Sequence, residues 1–240
     1  MARKKRARRN RIIQALSWIG IAMALLIAIP LILTPVYLVV QPVSVPMLER
    51  YVTGRPVTRE WRDIEEISDR LKATVIMSED GQFCRHWGVD LSALRDEINN
   101  FIEGKKTRGA STLTMQVARN LFLTNARNPV RKLLEIPLAV YIDLIMPKKR
   151  IMEIYLNIAE WGPGGQFGIV AGTEAAFGAD PATMSWRRAA LMTTALPNPL
   201  LRNPAKPSTG MNRIATILIN RTREYGQRAD CVASGARLAL

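Results

Sequence analysis

Hydrophobic and polar positions divide the chain into one long apolar run and a following region of helical periodicity. No charged residue occurs between Arg11 and Glu49, and Ile12 to Val40 is almost wholly apolar. About 20 consecutive apolar residues span a bilayer as a helix, so the run is long enough, with some tilt or a kink at Pro30. A cleaved signal peptide has a shorter apolar core, about 7–15 residues, and a small-x-small site after it. The segment QPVSVP that follows here is no clear cleavage site. Residues 12–40 therefore read as an uncleaved transmembrane signal anchor, and residues 41–60, with three prolines and mixed polarity, as a stem.

From Trp61 to Leu240 the pattern predicts one helical domain. Trp61, Ile64, Ile67 and Leu71 recur at steps of three and four. Leu91, Leu94, Ile98, Phe101 and Ile102 do the same, with Gly104 as a stop. Ser111 is placed as the N-cap of a helix carrying Leu113, Val117 and Leu121. Pro129 suits the first turn of the next, which carries Leu134, Leu138, Ile142 and Ile145. Ile151, Ile154, Tyr155 and Ile158 mark another, and 168–177, 185–196 and 211–225 are further helices. Alternating strand patterns are hard to find, so the fold class is all-α. Met184, Met192 and Met211 read as core fillers, and EWGPGGQFG (160–168) as a turn between helices.

Charge adds an orientation. The chain has 34 Lys+Arg against 20 Asp+Glu, a net +14. Seven of the basic residues lie in MARKKRARRNR, residues 1–11, which hold no acid. By the positive-inside rule this arm is cytoplasmic and the region after the anchor faces outward. The arm sets topology and meets anionic lipid rather than nucleic acid. Cys84 and Cys231 have neither metal-type spacing nor a disulfide framework. So far apart, they read as two small buried side chains, with a bridge as the lesser alternative.

Candidate chemistry lies in two carboxylates. SEDGQFCRHWGVD (78–90) holds Glu79, Asp80 and His86, the only histidine. With helical geometry through this stretch, Glu79, Phe83 and His86 share a face and Asp80 points elsewhere. Glu135 follows Arg131 by four residues, with Lys132 beside it; alone, this reads as an exposed i,i+4 pair. Between them, RGASTLTMQVARNLFL (108–123) sets Ser111, Thr112, Thr114, Gln116, Arg119 and Asn120 at a helix start, a polar platform suited to sugar hydroxyls or phosphate. With PKKR (147–150) added, the pattern suggests a substrate both saccharide and anionic.

EDGQFCRHWG resembles the E-D-x-x-F-x-x-H-x-G motif of the peptidoglycan glycosyltransferases, the transglycosylase domains of class A penicillin-binding proteins. GASTLTMQVARN resembles their G-G-S-T-I-T-Q-Q-x-x-K-N, RKLLE their R-K-x-x-E, and KRIMEIYLN their K-x-x-I-L-E-x-Y-L-N. Four motifs in order are a specific match. With no S-x-x-K, S-D-N and K-T-G triplets, the chain is similar to the monofunctional biosynthetic transglycosylases of Gram-negative bacteria. Departures are Ala110 for Gly, Met115 for Gln, Arg119 for Lys, Pro137 two residues after Glu135, and Trp186-Arg187-Arg188 in place of an acid.

The resemblance implies a lysozyme-like helical domain with a small membrane-proximal jaw, polymerising lipid II into β-1,4 strands with inversion and release of undecaprenyl diphosphate. It makes Glu79 the general base and sets Glu135, with Arg131 and Lys132, at the donor diphosphate. Thr112, Gln116 and Arg119 would contact sugar and phosphate. Asp80, Phe83, His86, Ser111, Asn120, Lys149, Glu153 and Asn157 would support them. No cofactor is required by the sequence, although a divalent cation, Mg or Mn, could sit at the diphosphate. Partners would be lipid II, the growing strand, membrane lipids and other cell-wall synthesis or division proteins, at the inner membrane with the catalytic domain periplasmic. Two other readings are a lysozyme-like lytic enzyme and an inactive membrane-anchored scaffold.

Overall fold

The computed structural model describes residues 2–105, 109–124 and 129–233. The chain separates into two compact units, Met1–Val40 and Gln41–Leu240. The first is the helix α1, Ala2–Val36, which runs through Pro30 and Pro35. Its segment Ile13–Val36 has 24 residues and a mean hydropathy of 2.5, long and apolar enough to cross a membrane.

The second unit is helical. It begins with α2 (Val45–Val52), where Ser44 caps the helix by accepting from the Met47 amide and Met47 is fully buried. Residues 41–60 are thus built into the folded unit rather than forming a bare stem. They also supply the strand β1 (Thr58–Arg59), which pairs in parallel with β2 (Gln166–Phe167) in the register Thr58↔Gln166. Among the described residues these two short strands depart from an otherwise all-α architecture, and β2 lies inside the stretch read from sequence as a turn.

Among the described residues eight further helices follow: α3 (Asp69–Glu79), α4 (Leu91–Ile102), α5 (Leu113–Phe122), α6 (Pro129–Ile145), α7 (Lys148–Ile158), α8 (Ile169–Phe177), α9 (Trp186–Ala195) and α10 (Thr209–Tyr225). A 3-10 turn at Gly226–Ala229 follows α10. α3 is the central element: every residue from Leu71 to Met77 is buried, and it packs against α9 and α10. Its buried cation, Lys72, pairs with Asp69 at 2.5 Å and donates to the Ile64 carbonyl, as a charge in a core requires. Met115, Met184, Met192 and Met211 are all buried.

Three local expectations are corrected. The periodicity from Trp61 does not make a helix; the chain is irregular there, with a 3-10 turn at Ile64–Glu66, and α3 starts at Asp69. The reason is tertiary: Asn157 Oδ1 takes the Arg62 amide at 2.8 Å and Glu153 Oε2 takes the Ile64 amide at 3.1 Å, so donors that a helix would use internally are bound by α7. The N-cap of α5 is Thr112, not Ser111, because the Thr112 hydroxyl accepts from the Met115 amide. Cys84 and Cys231 form a disulfide, with Cα atoms 5.6 Å apart, although 147 residues separate them in sequence. Folding of the C-terminal segment back onto the loop after α3 makes the pair, and spacing alone carries no trace of that return. Pro137 is accommodated within an unbroken α6.

Candidate active site

The site is organised around the C-terminal end of α3. Helical geometry does not persist past Glu79: Asp80 leaves the helix at φ −159°, ψ 73°. That turn separates the two acids. Glu79 is half-buried and accepts from Gln116 Nε2 at 3.3 Å and from the Ser78 hydroxyl at 3.2 Å. Asp80 points the other way, binding His86 Nε2 at 2.9 Å and accepting the Leu113 amide at 2.9 Å, which fastens the end of α3 to the start of α5. His86 therefore partners Asp80 rather than sharing a face with Glu79, and Phe83 is buried in the core.

Burial pushes the Glu79 carboxyl above the usual range, an effect that outweighs the opposing hydrogen bonds from Gln116 and Ser78 and the nearby Arg119 charge. The Tyr155 hydroxyl, which donates to Gln116 Oε1 at 3.4 Å, is pushed well above its usual value, first by burial and then by the Glu79 charge. Tyr155 thus stays a neutral donor, orienting the Gln116 amide so that its nitrogen faces Glu79.

The two residues of this pair line separate cavities. Glu79, Ser111 and Thr112 line one of about 310 Å³. Gln116, Arg119, Asn120 and Tyr155 line another of about 440 Å³, together with Glu160 and Asn198. Arg119 Nε is buried there without a hydrogen-bond partner, and buried donors in this state are rare. Behind the first cavity, Ser111 binds Lys132, Lys132 reaches Glu135 Oε2 at 3.0 Å, and Arg131 binds Glu135 Oε1. Glu135 is only 1% exposed, so the Arg131–Glu135 pair is not the exposed i,i+4 contact that the spacing suggests. Of the group, only Lys132 keeps substantial exposure, 38% of its side chain.

Several supporting residues hold the frame. Thr112, expected to touch substrate, has its hydroxyl committed: it donates to the Gly88 carbonyl at 2.5 Å and caps α5. Gly88 has φ +76°, and a Cβ there would overlap the Ala139 carbonyl of α6, so the motif glycine lets the 80–88 loop lie directly on that helix. Glu153 and Asn157 fasten residues 62–64, as described above. Lys149 is exposed and is replaced in the supporting role by Lys148. Lys148 Nζ binds Asp143 at 2.6 Å and the His86 carbonyl at 2.7 Å, and lies 4.6 Å from the centre of the Phe83 ring. Counting K-x-x-I back from Ile151 also gives Lys148, so the sequence held that signal.

Nothing in the sequence points to Arg221 and Arg228, which the structure brings from α10 and the final 3-10 turn to the Glu79 cavity. Among the described residues no group of three or more His, Cys, Asp or Glu side chains could hold a metal ion. Both oxygens of Glu135 are bound by cationic side chains, Arg131 and Lys132.

The transglycosylase family model matches residues 47–223. Biosynthetic peptidoglycan transglycosylases are similar along most of the chain. That of Rhodopseudomonas palustris is 50% identical over 203 residues, 85% of this chain and 86% of that protein. That of Mesorhizobium japonicum is 48% identical over 212 residues, 87% and 89% of the two chains. That of Brucella suis is 48% identical over 219 residues, 88% and 97% of the two chains. With that match spanning α3 to α9, which carry Glu79, Gln116, Arg119 and the Arg131–Glu135 group, the chain belongs to the transglycosylase family, beside the biosynthetic peptidoglycan transglycosylases.

Proposed function

We propose that this protein polymerises peptidoglycan glycan strands from lipid II, with Glu79 as the base that activates the acceptor sugar. The observation that carries this reading is Glu79 itself. It is a carboxylate raised by burial and held by Gln116; Glu79 lines a cavity backed by the Arg131–Glu135–Lys132 group, and Gln116 lines a second one together with Arg119. A base works best when its pKa lies near the working pH, and burial moves Glu79 that way.

In the proposed step, ionised Glu79 takes the proton of the acceptor 4-hydroxyl, and that oxygen attacks C1 of the growing strand. The C1–oxygen bond to the diphosphate breaks, its electron pair leaves with undecaprenyl diphosphate, and the anomeric centre inverts to β. Arg131 and Lys132 would face the charge that accumulates on the leaving group. Their shared buried anion, Glu135, keeps the two cations together despite their mutual repulsion. These two side chains supply opposing charge at the diphosphate.

The anchor reading extends this to location: an inner-membrane protein with a cytoplasmic N-terminus and a periplasmic second unit. The basic residues before Ile13 support the orientation. The disulfide in the second unit supports it independently, because such bonds persist in oxidising compartments such as the periplasm.

Purified protein supplied with lipid II should make long strands, and Glu79→Gln should not. A lytic enzyme also uses a raised carboxyl, as an acid. Fragments released from finished peptidoglycan, with no strand made from lipid II, would reverse the assignment.

A further inference from the structure

We propose that Arg221 and Arg228 form an additional anion-binding subsite on the wall of the Glu79 cavity, taking a phosphate or carboxylate group of the substrate. The proposal rests on the lipid II reading and adds residues outside all four sequence motifs. Both arginines line the cavity that holds Glu79 and Ser111. They lie over Gly81, two residues past Glu79: a Cβ built at that position would be 3.7 Å from Arg221 Nη2 and 3.9 Å from Arg228 Nη1.

Arginines of this unit differ in their partnering. Arg50, Arg62, Arg131 and Arg150 are each paired with a carboxylate. Neither Arg221 nor Arg228 makes such a pair among the described residues. The cavity's three acids are engaged elsewhere, Glu79 with Gln116 and Ser78, Asp80 with His86 and the Leu113 amide, and Asp90 with Ser92 and the Ala93 amide. Arg228 is instead stacked on Tyr225, 5.0 Å from the ring centre, which limits its freedom and leaves its nitrogens for a ligand. Two guanidinium groups aimed at one small backbone position repel each other until an anion lies between them, and each can bind a phosphate or carboxylate through two parallel N–H bonds. The Cys84–Cys231 bridge fastens the segment carrying Arg228 to the loop carrying Gly81, so the subsite is covalently tied to the catalytic turn.

Substrate anions come from two sources, the lipid diphosphate and the carboxylates of the stem peptide. The test uses full-length protein in detergent with lipid II and with lipid II whose peptide carboxylates are amidated. Strand synthesis and direct binding of each lipid are measured for the wild type, Arg221→Gln/Arg228→Gln, and Arg221→Lys/Arg228→Lys. The Gln pair should raise KM and Kd about five- to tenfold with little change in kcat, and the Lys pair should recover part of the loss. A loss on native lipid II alone assigns the peptide carboxylates; an equal loss on both assigns the diphosphate. Unchanged KM and Kd for both lipids would overturn the proposal, as would a lowered Tm with kcat reduced and affinity intact, which would mark the arginines as support for the end of α10. A wild type that binds lipid II without polymerising it would instead defeat the polymerase reading, and the binding constants would still judge the subsite.

Discussion

Gln116 donates to Glu79 at 3.3 Å while its carbonyl accepts the Tyr155 hydroxyl at 3.4 Å, so a single amide sets the environment of the raised carboxylate from α5 and α7 at once. The Glu79–Gln116 contact is thereby a control on basicity, and kinetics can read it directly.

Glu79→Gln is expected to lower strand synthesis by about 10²–10⁴, the usual contribution of a positioned acid–base group. The same change should stabilise the fold near neutral pH. An acid whose folded pKa is raised binds its proton more tightly when folded, so stability falls as pH rises from its unfolded pKa through the folded one. At neutral pH the wild type carries that cost and the Gln variant does not; below the unfolded carboxylate pKa the advantage should vanish. Thermal melts across pH check this, and a variant less stable than wild type at neutral pH would contradict the burial argument.

Gln116→Ala removes a donor that favours the ionised form of Glu79. The acid limb of kcat/KM, already above the ordinary carboxylate range because of burial, should move to still higher pH. Tyr155→Phe should do the same more weakly, acting through Gln116. A limb that stays in place in Gln116→Ala would show that the amide does not tune Glu79.

Glu135→Ala leaves Arg131 and Lys132 without the anion that joins them, and Arg131 is 16% exposed. Removing one partner of a buried pair costs about 3–5 kcal/mol, so denaturant unfolding should reveal a large loss. Lys132→Met, at a more open position, should cost well under that in stability while reducing synthesis. Equal stability losses for the two variants would argue against the burial difference.

Cys84→Ser or Cys231→Ser opens the bridge and should lower stability by about 2–4 kcal/mol, the usual range for a bridge closing a long loop. The measurement is unfolding with and without reductant: wild type should respond to reductant and the variants should not. A wild type indifferent to reductant would show that the bridge is not a support of the fold.

Much of this protein was legible in the chain itself. The uncharged interval after Arg11 marks α1, and steps of three and four mark α4 through α10, because local periodicity reports which face of a helix must be buried. Glu79, Gln116, Arg119 and the Arg131–Glu135 group were all visible as motif residues, and Gly88 was visible as the motif glycine that its positive φ requires. What the chain could not reveal depended on contacts between distant segments. The stretch from Trp61 has helical spacing but loses its helix to Asn157 and Glu153, and residues 45–59 fold onto the unit because α5 and β2 receive them. Burial of Glu135, the raised carboxyl of Glu79, the Cys84–Cys231 bridge and the arrival of Arg221 and Arg228 over Gly81 are likewise products of packing. Sequence determines what each segment can do alone; burial, charge partnering and the meeting of residues some 140 positions apart arise only when the chain closes on itself, since only then does water leave those groups.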